Sequence, residues 1–463
     1  MKDYSLLNIG KIFNPDSVAI IGASSNTEKI GHKILKNIIN AGYEGKIYPI
    51  NPRSSIILGL QVYESILKVK EGIDVCVIAV PSQIVPGVIE ECVEKGVKGA
   101  IIISSGFKDI GPEGEKLEKQ ILKIAKKGDL SIIGPNCQGV SNPINGFCAT
   151  WPLITAEGNI AVISQSGTIA LEIPSFLEKN HIGYNKSVAL GNKADITEIE
   201  LIKWLSEDPE TRVIVVYTEG TTRGRELLST VKDAAKNKPV IILKGGRTEE
   251  GKRAAFAHTG TLAGDYKIFK SAIKQSGGII VNDLQQLYDA AKIFSSQPVP
   301  KGNNLMIVTS SGGSGILSSD VCDENGLNLP KVNEKTELKL RKELPEYCII
   351  ENPLDLTGNV LSEPQLYSTA LKILERDQHI DMFLLIYGDP IDRAYTSIES
   401  VIKNTINMSK PVVVSFLGGA EIQEKEEKLF QKKGIPVYPI PERAINSLGH
   451  LYKYRQILRR INV

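Results

Sequence analysis

AVISQSGTIAL (Ala161–Leu171) reads as an apolar strand that stops at a Ser/Gly turn and restarts as a helix. MIVTSSGGSGIL (Met306–Leu317) repeats that form. Further on, VIVVYTEG (Val213–Gly220) is answered by FLLIYGDP (Phe383–Pro390), and KPVIILKGG (Lys238–Gly246) by KPVVVSFLGG (Lys410–Gly419). Three matches in one order predict a duplicated α/β domain of flavodoxin-like wiring. Apolar runs without alternation fit strands covered on both faces, hence parallel sheets between helical layers.

Upstream, Val18–Gly22, Ile47–Ile50, Val75–Val80, Ala100–Ser104 and Ser131–Ile133 are runs of the same kind. The first opens VAIIGASSNTEKIGHKILKNI (Val18–Ile38), a Rossmann-type strand, turn and helix. Turn-rich stretches at Ser141–Gly146 and Ser295–Gly302 mark joints. The predicted organisation is α/β throughout: a Rossmann-like domain over 1–145, then flavodoxin-like domains over 146–297 and 298–463.

Composition narrows the partners. Among 463 residues, 55 Lys+Arg against 53 Asp+Glu leave a net charge of +2, too little for a bulk basic field toward nucleic acid. With 42% hydrophobic residues, disorder is excluded as the dominant state. No apolar run reaches the 18 or so residues of a membrane helix, and the N-terminus has no signal-peptide core. Six scattered cysteines without a CxxC pair read as buried thiols in a reducing compartment. The expected location is the cytoplasm.

Four places carry candidate chemistry. Gly22 permits a tight turn, Ala23 and Ser24 let backbone N–H groups approach a phosphate, and Lys29 and Arg53 add charge beside a helix that begins near Gly31. The spacing is not GxGxxG, and Asn51-Pro52 follows the second strand where an NAD ribose would need an acid. An NAD-dependent oxidoreductase is therefore disfavoured against another nucleotide-bearing ligand. KGGRTEEGKRAAFAHTGTLAGD (Lys244–Asp265) surrounds His258 with glycines, which predicts a mobile or closely approached loop where imidazole acts as nucleophile or proton shuttle. Glu219, at the carboxyl end of an apolar strand, is placed to accept a hydrogen bond from that ring. The turns Gln165, Ser166, Gly167, Thr168 and Ser311, Gly312, Gly313, Ser314, Gly315 have the form of anion sites at helix starts. No metal-ligating set is visible.

Together these stretches resemble the NDP-forming acyl-CoA synthetases, relatives of succinyl-CoA synthetase. GRTEEGKRAAFAHTGTLAGD is similar to the phosphohistidine loop of ADP-forming acetyl-CoA synthetases. IIGASSNTEKIGHKILKNI with YPINPRS resembles their CoA-binding domain, and IIGPNCQGV (Ile132–Val140), VALGNKADIT (Val188–Thr197) and ENPLDLTG (Glu351–Gly358) match further family stretches.

The resemblance implies that His258 is transiently phosphorylated and that Glu219 steadies it. It implies a coenzyme A site at Gly22, Ala23, Ser24, Lys29, Gly31, Arg53, Val80, Pro81, Ser104, Gly106 and Phe107. It places Asn136 and Asn192 near the acyl phosphate, and phosphate at the two Ser/Gly turns. The implied reaction is acyl-CoA + phosphate + ADP ⇌ carboxylic acid + CoA + ATP. Single-chain members of the family also carry an ATP-grasp module, and no stretch here reads as one. The expectation is an α subunit whose ATP-grasp β partner binds Mg and ADP or ATP, assembled as an α2β2 heterotetramer. The competing class is a non-catalytic CoA-binding regulatory protein.

Overall fold

A computed structural model describes residues 4–259, 264–361, 363, 365–387, 401–403, 405, 408–416 and 420–461. The chain forms two units, one of residues 1–179 and 183–287 and one of 180–182 and 288–463.

The first unit holds two large sheets. In the first sheet, β1 (Ser17–Ile21), β2 (Lys46–Ile50), β5 (Val75–Ile78), β6 (Gly99–Ile102) and β7 (Ser131–Ile133) run parallel in the order β2-β1-β5-β6-β7. β3 (Ile56–Ile57) and β4 (Leu60–Gln61) make a small antiparallel hairpin. Tyr63 then forms a single parallel bridge with Ile50, at the outer edge of β2. That bridge stands where a Rossmann sheet has its third strand, which gives the Rossmann order in abbreviated form.

In the second sheet, β10 (Glu157–Ser164), β11 (Tyr184–Ala189), β12 (Val213–Thr218), β13 (Val240–Lys244) and β14 (Ile279–Val281) are parallel in the order β14-β13-β12-β10-β11. A hairpin of β8 (Val140–Asn142) and β9 (Phe147–Ala149) extends the β11 edge antiparallel. The turn predicted from Ser141–Gly146 is the loop of that hairpin. Helix Tyr4–Phe13 packs on helix Glu198–Glu207, where Phe13 and Trp204 stack at 5.3 Å between centroids. One apolar core therefore includes Val18 and Ile20 of β1 together with Ile163 of β10 and Ile214 of β12.

The second unit holds β15 (Leu305–Thr309), β16 (Leu354–Asp355), β17 (Met382–Tyr387), β18 (Val412–Phe416) and β19 (Val437–Tyr438), all parallel, in the order β16-β15-β17-β18-β19. Counted along the chain, both later sheets have the doubly wound order 2-1-3-4-5 of flavodoxin-like folds. β13, β15, β17 and β18 are buried along their whole length, as non-alternating runs require. In such sheets ligands bind beyond the carboxyl ends of the strands.

Candidate active site at the carboxyl ends of the second sheet

β10 ends at Ser164, and helix Gly167–Lys179 starts three residues later. The Gln165 N–H donates to the Tyr217 carbonyl at 3.0 Å, and the Ser164 hydroxyl to the Ser166 carbonyl at 2.6 Å. The Ser166 hydroxyl lies 3.5 Å from the Ile169 nitrogen, a loose cap. The turn is thus held by its neighbours, and the first N–H groups of the helix, at Gly167 and Thr168, have no intrahelical acceptor. A Cβ on Gly167 would sit 2.7 Å from Gln138 Oε1, so the Gln138 side chain would have to shift.

Glu219 follows β12 directly and is buried. Because β12 lies beside β10, Gln165 Oε1 accepts the Glu219 N–H at 2.9 Å. The Tyr217 hydroxyl stands 3.5 Å from Glu219 Oε1. Burial, with Glu219 adding, pushes that phenol up to about 12, so it stays a donor toward the carboxylate at neutral pH. Buried Lys244 closes the end of β13 next door.

His258 lies within helix Glu249–Thr259, which corrects the expectation of a loop at this residue. The physical reason is local. Thr248 Oγ1 accepts the Gly251 N–H at 3.1 Å, Glu249 and Glu250 occupy the first turn, and alanines follow. The side chain of His258 and residues 260–263 fall outside the described residues. This helix packs against the turn Lys108–Ile110 of the first sheet's domain.

The same turn belongs to a polar network whose carboxylates, Asp109 and Glu118, no motif signalled. Asp109 accepts the N–H groups of Gly106 and Phe107 at 2.9 and 2.8 Å. Asn192 Nδ2 donates to Asp109 at 3.2 Å and to Glu118 at 2.9 Å, and its Oδ1 accepts from Asn136 Nδ2 at 3.4 Å. Asn136 and Asn192 are therefore brought together. Asn192 spends its amino group on two carboxylates, and Asn136, at φ +57°, keeps donor capacity for an anion. Glu118 is buried, and desolvation raises its pKa, opposed by the Asn192 and Lys108 hydrogen bonds.

At the first sheet, Gly22 has φ +92°, and a Cβ there would meet the Ala79 carbonyl at 2.4 Å. A Cβ on Gly31 would lie 2.0 Å from the Gly22 carbonyl. Both glycines are needed for the chain to fold this closely, which leaves the turn's backbone open to a phosphate. Asn51 Nδ2 holds the Ala23 carbonyl at 2.7 Å, and His32 Nδ1 lies 2.8 Å from the Ser24 carbonyl. The His32 contact is a support for the turn. Lys29 is the residue before helix Ile30–Asn40, and Arg53 is exposed beyond Asn51. Val80 and Pro81 follow β5, and the Ser104 hydroxyl bonds to the Val80 carbonyl. Gly106, at φ +98°, packs on Ser82, whereas Phe107 is fully buried and offers backbone alone.

In the second unit, Ser311 caps helix Gly312–Glu324, accepting from the Ser314 N–H at 3.4 Å. Its hydroxyl also bonds Ser314 Oγ at 3.1 Å, and Gly313 has open space around it. Gly312 lies against Asp355, and Gly315 against Pro353. Among the described residues no group of three His, Cys, Asp or Glu is arranged to hold a metal ion, and no helix is long and apolar enough to cross a membrane.

Three family models cover most of the chain: the CoA binding domain at residues 16–143, the succinyl-CoA ligase like flavodoxin domain at 157–294 and the ligase-CoA domain at 305–462. The sequence is 39% identical over 459 residues to the acetate–CoA ligase [ADP-forming] I subunit alpha of Pyrococcus furiosus, spanning 97% of this chain and 98% of that one. The chain belongs to the ADP-forming acetate–CoA ligase α-subunit family. This ligase α chain matches a solved structure over nearly its whole length. The dinucleotide forming acetyl-coenzyme A synthetase 1 of Ca. Korarchaeum cryptofilum, in complex with phosphate and ADP, aligns with a TM-score of 0.92 at 34% identity, covering 98% of both chains. The acetate–CoA ligase [ADP-forming] of Methanocaldococcus jannaschii is 39% identical, and this ligase α chain spans 64% of its length.

Proposed function

We propose that this ligase α chain carries out the acyl half of the reaction and holds the phosphoryl group on His258. A phosphate oxygen attacks the acyl-CoA carbonyl, the C–S bond breaks, and CoA leaves as its thiol, giving an enzyme-bound acyl phosphate. An imidazole nitrogen of His258 then attacks phosphorus, the bond to the acyl oxygen breaks, and the carboxylate departs. Glu219 takes the ring's other N–H and favours the charged imidazole that forms. The N–H groups at Gly167 and Thr168 bind the phosphoryl oxygens, and Asn136 donates to the acyl phosphate. Coenzyme A lies on the Gly22–Ser24 turn, with Lys29 and Arg53 toward its phosphates and the Val80-Pro81 and Ser104–Gly106 segments along its arm. Ser311–Gly315 forms the phosphate turn of the second unit.

The observation that carries this reading is the Gln165 hydrogen bond, which ties the helix-start turn to Glu219. It is supported by the His258 helix abutting the turn that also holds the Gly106 and Asn192 amides. The final transfer to ADP, with Mg, takes place on an ATP-grasp β subunit in an α2β2 assembly in the cytoplasm. The subunit alpha name of the Pyrococcus furiosus relative, matched over 98% of its length, supports a partner chain. The three-module division at 145 and 297 is supported by the separate family matches.

The test is incubation of the chain, alone and with its co-purified partner, with labelled phosphate and a panel of acyl-CoAs. An acid-labile phosphoryl group that needs acyl-CoA and disappears in His258→Ala is expected. No label from any acyl-CoA in either preparation overturns the reading and leaves a CoA-binding regulatory protein.

A further inference from the structure

Lys244 is the last residue of β13 and is 2% exposed. Its Nζ donates to the carbonyl of Glu219 at 2.5 Å and to that of Gly245 at 2.5 Å. The same ammonium stands 5.8 Å from the ring centroid of Phe269, within cation–π range. Phe269 lies in helix Tyr266–Gln275, which takes up the chain after the His258 segment and is capped by Asp265. One buried cation therefore touches three things: the strand end bearing Glu219, the first residue leaving β13, and the helix to which the chain returns.

The surroundings leave little slack on the strand side. A Cβ on Gly245 would meet Tyr217 Oη at 2.8 Å and Glu219 Cγ at 3.4 Å, so the backbone is packed flat beneath the carboxylate. Gly246, at φ +68°, takes the left-handed conformation that glycine favours, so the chain turns beyond the contact with Lys244, not at it.

We propose that Lys244 is a positioning residue for phosphoryl transfer, pinning both stems of the His258 segment to the strand end that carries Glu219. The inference rests on the reading of His258 as the phosphorylated residue. A segment that moves between sites must return its imidazole to one place, and a misplacement of about 1 Å costs on the order of 100-fold in rate. Desolvation lowers the Lys244 pKa to about 8; Glu219 opposes the shift, and Lys193 and Lys252 add to it. Charge-assisted bonds are roughly twice as strong as neutral ones, so the clamp loosens as pH rises through that value.

The experiment measures the rate of His258 labelling by the full chain with its co-purified partner, from labelled phosphate plus acyl-CoA and from γ-labelled ATP. In Lys244→Met the rate falls roughly 10- to 100-fold, while the acyl-CoA concentration for half-maximal rate stays unchanged. Lys244→Arg, which keeps charge and donors, recovers part of the rate. The wild-type rate falls as pH rises through about 8, and the Lys244→Met profile is flat there. Label lost in His258→Ala but formed at wild-type rate in Lys244→Met overturns this inference alone. If Lys244→Met does not fold, a wild-type rate that is level across that pH range overturns it equally. A wild-type chain that takes no label from either donor overturns the phosphohistidine reading and this inference with it.

Discussion

Gln165 Oε1 accepts the backbone N–H of Glu219 at 2.9 Å, across the adjacent ends of β10 and β12, 54 residues apart in the chain. The same oxygen lies 3.4 Å from Thr218 Oγ1. One amide therefore fixes the strand end from which the Glu219 carboxylate projects. Gln165→Leu leaves a buried N–H without its partner, at a cost of about 1–3 kcal/mol. Denaturant titration should show that loss, and His258 labelling should fall by more than CoA affinity does. Unchanged labelling would separate Gln165 from the chemistry.

Gly31→Ala tests the nucleotide turn. The added methyl would lie 2.0 Å from the Gly22 carbonyl, so the turn must open. CoA affinity measured by calorimetry should drop at least about tenfold, with a stability loss of roughly 1–3 kcal/mol. Gly87→Ala, in helix Val85–Lys95 with open space around it, should raise stability by about 0.5–1 kcal/mol and leave CoA binding alone. Wild-type CoA affinity in Gly31→Ala would move the CoA site elsewhere.

His450 sets an acid limit on the second unit. Its Nδ1 is shut off from solvent with no hydrogen-bond partner among the described residues, and desolvation, with Lys453 adding, lowers its pKa from 6.5 to about 4. The unfolded chain then binds the extra proton, so stability is full above pH 6.5 and is lost as pH falls toward 4. Unfolding midpoints taken across that range should fall for the wild type and fall less steeply for His450→Leu. Parallel slopes would assign the acid sensitivity to other groups.

All six cysteines are free and buried. Burial pushes the Cys137 and Cys322 thiols up to about 12 and raises those of Cys76, Cys148 and Cys348 as well. The thiolate is the reactive form. A thiol reagent at pH 8 should therefore leave the native chain unlabelled and modify all six after denaturation. Rapid labelling of a native thiol would show a local opening.

Much of this was legible in the chain itself, for identifiable reasons. The apolar runs at Val75–Ile78 and Val213–Thr218 are strands because no alternation divides them into two faces, and the glycine at 22 marked a close turn. Those signals are local: they depend on period, turn chemistry and a few neighbours. The helix around His258 was obscured by its glycine flanks, although Thr248, Glu249 and Glu250 already formed a helix start.

By itself the sequence determined three parallel α/β sheets, the Gly22 turn, the Ser/Gly helix starts and the candidacy of His258 and Glu219. Tertiary structure alone decided which of these meet. Sheet order puts β12 beside β10, which lets Gln165 hold Glu219, and puts β13 beside β12, which lets Lys244 reach the Glu219 carbonyl. Packing of the first two sheets into one core brings Asn192 to Glu118 and Asp109, residues 74 and 83 positions away. A hydrogen bond of that span leaves no periodic trace in sequence, because its partners are chosen by the order of strands and not by the order of residues.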